Sequence, residues 1–165
     1  MSITTNHKTV LACDPGYDRL GIAVITGSVH NHELLYSACA QTDKKDTLSK
    51  RLADLHKELL LILTKYKPDV IAVEKLFFST NNKKSALAVA ESRGMILTLA
   101  GIHNIPVIEH SPQEVKIAVT GYGNATKKDV ILMTKRLISG INPKALDDEY
   151  DAVALSICAL ASYRP

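Results

Sequence analysis

The chain lacks any run of about 18 apolar residues, so no helical membrane span is expected. Its first residues, Met1 to Lys8, are polar and hold no apolar core of a signal peptide. Cysteine is scarce: Cys13, Cys39 and Cys158 are odd in number and widely spaced. That pattern offers neither a zinc motif nor a disulfide framework, and all three are expected to be buried structural thiols. The six histidines show no paired metal-ligand spacing. Low-complexity tracts, internal repeats and Pro/Gly/Ser linkers are missing as well, so residues 1–165 are expected to form one soluble, cytoplasmic domain. Phenylalanine is limited to Phe77 and Phe78, side by side in a polar segment. Charge is nearly balanced, 20 Lys and Arg against 17 Asp and Glu, a net +3. Such a balance identifies no polyanion binder, so the distribution of charge has to decide.

What is present is an apolar share of 46%, enough for a globular core, arranged with clear periodicity. Thr9 to Cys13, Leu20 to Thr26 and Glu33 to Gln41 read as three strands in an antiparallel meander. Leu48, Leu52, Leu55, Leu59, Ile62 and Tyr66 recur at steps of three and four, an amphipathic helix that Pro68 stops. Asp69 to Glu74 is the next strand. A helix is expected from about Asn82 to His103, and a fifth strand from Ile105 to Glu109. Ser111-Pro112-Gln113-Glu114 has the grammar of a helix start, and Gly121-Tyr122-Gly123 ends that helix. Thr126, with Asp129 three residues on, caps another, and a last helix runs from about Asp147 to Ser162. This order predicts an α/β fold, a mixed five-stranded sheet with helices on both faces.

Four carboxylates stand at element ends: Asp14 closes the first strand, Glu74 closes the fourth, and Asp148 and Asp151 open the last helix. Singly each has a plainer account, as a turn residue, a solvated strand end, or an acid that caps a helix and suits its dipole. Jointly they come from three elements that open α/β sheets bring to one edge, provided strands one and four pair in parallel. Three residues of spacing puts Asp148 and Asp151 on one helix face. Gathered carboxylates repel unless a cation joins them, and oxygen-only donors suit Mg²⁺ or Mn²⁺ rather than Zn²⁺. That is the outline of a two-metal phosphodiesterase site, with Asp14 as the bridge. Lys75, Lys83 and Lys84 lie in an acid-free segment, and Lys116, Lys127 and Lys128 near helix starts. These are candidates for a phosphate backbone. Phe77 and Phe78 follow Glu74 closely enough to stack on or wedge between bases.

The chain resembles the RuvC-type Holliday-junction resolvases over nearly its whole length, Val10 to Ala161. The residues that carry the likeness begin with Asp14-Pro15-Gly16 with Gly21, Val73-Glu74, Leu76-Phe77-Phe78, Asn81, Ser85-Ala86-Leu87 and Ser92-Arg93-Gly94. They continue with Pro112, Val115-Lys116, Gly121-x-Gly123-x-Ala125-x-Lys127-x-x-Val130 and Asp148-x-x-Asp151-Ala152-x-Ala154-Leu155. The resemblance implies an RNase H-like fold and a homodimer that nicks two symmetric strands of a four-way DNA junction. It implies that Asp14, Glu74, Asp148 and Asp151 are catalytic metal ligands for two Mg²⁺ ions, with Lys116 and Lys127 near the DNA backbone. Phe77 would sit near the junction centre, the helix after residue 82, with Ala86, Ala88 and Ala90, would carry the dimer contact, and a branch-migration complex would be the partner. Asp18 and Arg19 depart from many relatives. Asp-Pro-Gly-x-x-Arg-x-Gly also resembles a related family thought to process ribosomal RNA precursors, which ranks second. A catalytically inactive junction-binding dimer is the third reading.

Overall fold

The computed structural model describes residues 7–16, 18–76 and 83–163, without the side chains of 83–85. Phe77 and Phe78 lie outside the described residues. Lys83 and Lys84 open a helix, but their side chains lie outside the description too.

Strands β1 (Lys8–Asp14), β2 (Arg19–Ser28) and β3 (Asn31–Gln41) precede helix α1 (Leu48–Tyr66). Then come β4 (Val70–Glu74), α2 (Lys83–Ile102), β5 (Val107–His110), α3 (Pro112–Thr120), α4 (Lys127–Leu137) and α5 (Asp147–Ser162). The strands form one mixed sheet in the order β3-β2-β1-β4-β5. β1 pairs β2, and β2 pairs β3, antiparallel; β4 runs parallel to both β1 and β5. The meander and the mixed sheet expected from the sequence are thus present. β2 ends and β3 begins two residues beyond their expected bounds, lengthening the antiparallel pair, whereas β5 begins two residues later than expected. Pro106 has no N–H to give a ladder and instead accepts from the Ile71 N–H.

Period-two alternation decides which face each strand residue serves. On β1, Leu11 and Cys13 join the core under α1 and α2, whereas Val10 and Ala12 join the core under α5. On β4, Ile71 and Val73 take the first face, and Val70 and Ala72 the second. One more step along each strand turns Asp14 and Glu74 toward α5. Their registers agree: Cys13 is paired with Val73, so Asp14 and Glu74 are the next positions on adjacent parallel strands.

The two faces are packed differently. The α1 and α2 face is filled by large side chains, including Leu55, Leu59, Ile96 and Leu99, all essentially inaccessible. Burial of each contributes roughly 1.5–3 kcal/mol. The opposite face is lined by Ala12, Ala23 and Ala72, and α5 answers with Ala152, Ala154 and Ala159. Small residues on both sides let α5 lie close against the sheet. That closeness brings the start of α5 to the end of β1.

Candidate active site

Gly21 sets the distance between α5 and the sheet. It pairs with Asp14 across the β1–β2 ladder. A Cβ at this position would lie 1.9 Å from the Asp148 carbonyl oxygen and 3.2 Å from the Asp14 Cβ. No side chain fits there, so the first turn of α5 rests on the backbone of β2, directly beside Asp14.

The acids of α5 do not cap it. Leu146 occupies the cap position, and no side chain bonds to the exposed N–H groups. Asp148 instead turns to the β2–β3 flank, where Arg19 Nε lies 3.1 Å from its Oδ2. Asp151 turns to the other flank, where Lys127 Nζ lies 2.9 Å from its Oδ2 and 3.4 Å from Asp147. Next to Asp148, Glu149 is buried and accepts a 2.6 Å hydrogen bond from the Ser37 hydroxyl of β3. That bond fixes the rotation of α5 about its axis. On the sheet side, the fully buried Ser92 hydroxyl of α2 donates to the Gly16 carbonyl at 3.1 Å, holding the turn that follows Asp14.

Asp14 is the electrostatic centre. Burial, then the charges of Glu74, Asp151 and Asp148, push its carboxyl from 3.8 up to about 8, against the pull of Lys127. Glu74 is pushed from 4.5 to about 7 by burial and by Asp151, Lys127 again opposing. Asp151 is raised by burial, with Lys127 holding it back. Asp14 feels all three other acids, which is what a central bridging carboxylate requires. Its place in the middle of the sheet makes that possible.

This arrangement has a stability consequence. Between pH 3.8 and about 8 the folded chain keeps an Asp14 proton that the unfolded chain has lost, so stability falls as pH rises. The contribution is fully present below the unfolded value and lost through the folded one. Above pH 6.5 the lowered His110 adds little slope of its own. Thermal unfolding in chelator is therefore expected to show a lower Tm at pH 8.5 than at pH 6.5, and Asp14→Asn should flatten that slope. A Tm that stays level or climbs would contradict the crowded-carboxyl description.

The donor set suits a hard divalent ion: oxygen ligands only, at a point where negative charge is costly without a cation. Among the described residues no three such side chains already close on a single ion position. Asp148 and Asp151 are drawn to opposite flanks by Arg19 and Lys127, and side-chain rotation inward is what closing the site requires. On the Asp151 flank lies a cavity of about 290 Å³, lined by Glu74, Asp151, Lys116, Lys127 and the apolar Pro112, Val115 and Val130. Two of the lysines singled out in the sequence thus face two of the acids. Lys128 is exposed on α4 and does not line that cavity. On the Asp148 flank a second cavity, of about 420 Å³, includes Gly16, Arg19, Gln41, Thr42 and Lys44.

A profile described as "Crossover junction endodeoxyribonuclease RuvC" matches residues 10–159. The chain belongs to the RuvC family. It is 40% identical to the crossover junction endodeoxyribonuclease RuvC of Pseudothermotoga lettingae, over 92% of this chain and 93% of that one. To the protein of the same description from Rickettsia prowazekii it is 38% identical, over 93% of this chain and 97% of its relative. Among solved structures, T. thermophilus RuvC in complex with Holliday junction substrate superposes with a TM-score of 0.83 at 28% identity, covering 92% of each chain. The yeast mitochondrial Holliday junction resolvase Ydc2 matches at a TM-score of 0.65 and 18% identity, over 92% of this chain and 77% of that chain, a likeness of fold. The fold is RNase H-like. No helix among the described residues is long and apolar enough to cross a membrane.

Several residues that shape this RuvC-family site carry little signal in the sequence. Arg19 registered only as a departure, yet it holds Asp148. Cys39 is not fully buried as expected: it is only partly buried, its Sγ 4.0 Å from Asp148 Oδ2, while Cys13 and Cys158 are buried. β3 is an edge strand, so its residues keep solvent on one side. Glu149 and Ser37 gave no signal in one dimension, because a buried acid at a helix start looks the same as an exposed one.

Proposed function

We propose that the chain is a structure-selective DNA endonuclease that resolves four-way (Holliday) junctions by paired symmetric nicks in DNA recombination and repair. The observation that carries this reading is the meeting of Asp14, Glu74, Asp148 and Asp151, from three elements, at one end of the sheet in a RuvC-family chain. These four would hold two Mg²⁺ ions per site, with Mn²⁺ as substitute. Bound there, the ions would activate the attacking water and neutralise the charge that develops on the leaving oxygen.

The chain's own side chains have separate tasks. Asp14 and Glu74, fixed on adjacent strands, form the rigid half of the site. Asp148 and Asp151 sit on one turn of α5, whose rotation is pinned by the Ser37–Glu149 bond. Lys127, now paired with Asp151, and Lys116, across the cavity, would meet phosphates on the Glu74 flank. Phe77 and Phe78 would approach the junction centre, with Lys83, Lys84 and Lys128 on its backbone. Two nicks related by symmetry call for two sites, so the active form would be a homodimer joined through α2. Its partner would be a branch-migration complex.

The reading is tested by incubating the protein with Mg²⁺ and a labelled mobile four-way junction, beside linear duplex and structured RNA. Paired nicks confined to the junction are expected. Cleavage of RNA alone would replace this reading with RNA processing, and junction binding without cleavage would leave an inactive binding module. Lys116→Ala is expected to weaken junction binding and to reduce its log-log salt slope by about one, the share of one phosphate contact. An unchanged slope would remove Lys116 from the DNA backbone.

A further inference from the structure

One helical unit beside the acids carries an excess of positive charge. Residues 112–136, spanning α3, its connecting loop and α4, hold Lys116, Lys127, Lys128, Lys135 and Arg136 against Glu114 and Asp129, a net +3. The whole chain also carries +3, so the other residues balance to zero. The two acids of the unit are both engaged in capping boxes, Glu114 with Ser111 and Asp129 with Thr126. This pair of helices therefore offers a polyanion a positive surface beside Glu74 and Asp151.

The loop joining the helices displays an aromatic ring at this surface. Tyr122 lies between Gly121, the left-handed cap of α3, and Gly123, and is 61% exposed. Its backbone is held on both sides. The Tyr122 N–H donates to Thr120 Oγ1 at 3.1 Å, and that hydroxyl lies 3.0 Å from the Tyr122 carbonyl. The same carbonyl accepts from the Ala125 N–H at 3.2 Å. Gly123 sits so close to Ile117 and Gln113 that an added Cβ would touch both. Ile117 is itself half-exposed, so the surface beside Gly123 is partly apolar. The Tyr122 hydroxyl accepts from Asn124 Nδ2 at 3.4 Å, and most of the side chain stays open to solvent. Lys116 before it and Lys127 after it both line the cavity shared with Glu74 and Asp151.

We propose that Tyr122 is a stacking platform for a nucleobase or deoxyribose of the DNA strand bound beside the active site. The inference rests on the junction-endonuclease reading and adds to it a positioning residue. The lysines attract the strand without reading it, and the ring fixes where along the strand the scissile phosphate lies. Stacking needs the π-face and not the hydroxyl, so phenylalanine should replace Tyr122 and aliphatic residues should not.

The experiment compares wild type, Tyr122→Phe, Tyr122→Leu and Tyr122→Ala on a four-way junction carrying 2-aminopurine at successive positions around the cleavage point. Tyr122→Ala is expected to lose roughly five- to a hundred-fold in affinity, the range of one base–aromatic stack. Tyr122→Leu should fall close to it, and Tyr122→Phe should remain near wild type. Fluorescence at one position should change on binding for the two aromatic versions only. The salt slope should be the same in all four, since no phosphate contact is removed. Wild-type affinity and fluorescence in Tyr122→Ala would overturn the inference while leaving the endonuclease reading intact. Failure of the wild type to bind junctions would overturn both.

Discussion

Asp14→Asn is expected to reduce junction cleavage to below about a thousandth of wild type while leaving junction affinity unchanged or tighter. Asparagine keeps the size and shape of the side chain at the end of β1, so the strand pairing and Gly21 contact persist. It removes the one charge that interacts with Glu74, Asp148 and Asp151 together. A neutral amide is a poor replacement for a carboxylate ligand, so under the proposed reading divalent ions would be held weakly at the reacting phosphate. Binding follows a different rule. Below about pH 8 the metal-free Asp14 carboxyl keeps its proton, so the amide leaves the charge facing phosphate unchanged, and above it the amide removes a repulsion, while Lys116 and Lys127 stay in place. Single-turnover nicking and equilibrium binding on the same junction separate the two effects. Nicking within tenfold of wild type would remove Asp14 from the reaction.

Gly21→Ala should be nearly as damaging, although this residue bears no chemistry. A methyl group 1.9 Å from the Asp148 carbonyl oxygen has nowhere to go, because the obstacle is backbone on one side and β1 on the other. α5 has to lift from the sheet at its first turn, with an overpacking cost of about 3 kcal/mol. The lift carries Asp148 and Asp151 away from Asp14 and Glu74. Displacements near 1 Å at a reacting centre cost about a hundredfold in rate. Urea unfolding together with cleavage under saturating divalent ion would register both losses. A variant of wild-type stability and full activity would mean that α5 is not seated on Gly21.

Most of the fold was legible because its signals are local. Period-two runs gave the strands, Ser111 and Thr126 marked helix starts, and Pro68 marked an end. Capping and turn chemistry act over three or four residues, so they survive in one dimension. The acids were legible for a related reason. A carboxylate at the end of an apolar strand breaks the pattern that precedes it, as Asp14 and Glu74 do. The sequence pattern sets β5 two residues early because Pro106 has no N–H to give the ladder, so pairing with β4 begins at Val107.

By itself the sequence determined the element order and the four-carboxylate set. Each follows from alternation and spacing along a single segment. Tertiary structure alone decided that Gly21 seats α5, that Arg19 and Lys127 hold Asp148 and Asp151 on opposite flanks, and that Ser37 pins Glu149. It also decided the raised carboxyls of Asp14 and Glu74, since burial and charge repulsion depend on distances between segments remote in the chain. No local pattern encodes those distances; they arise when close packing of small residues lets one helix settle on the sheet.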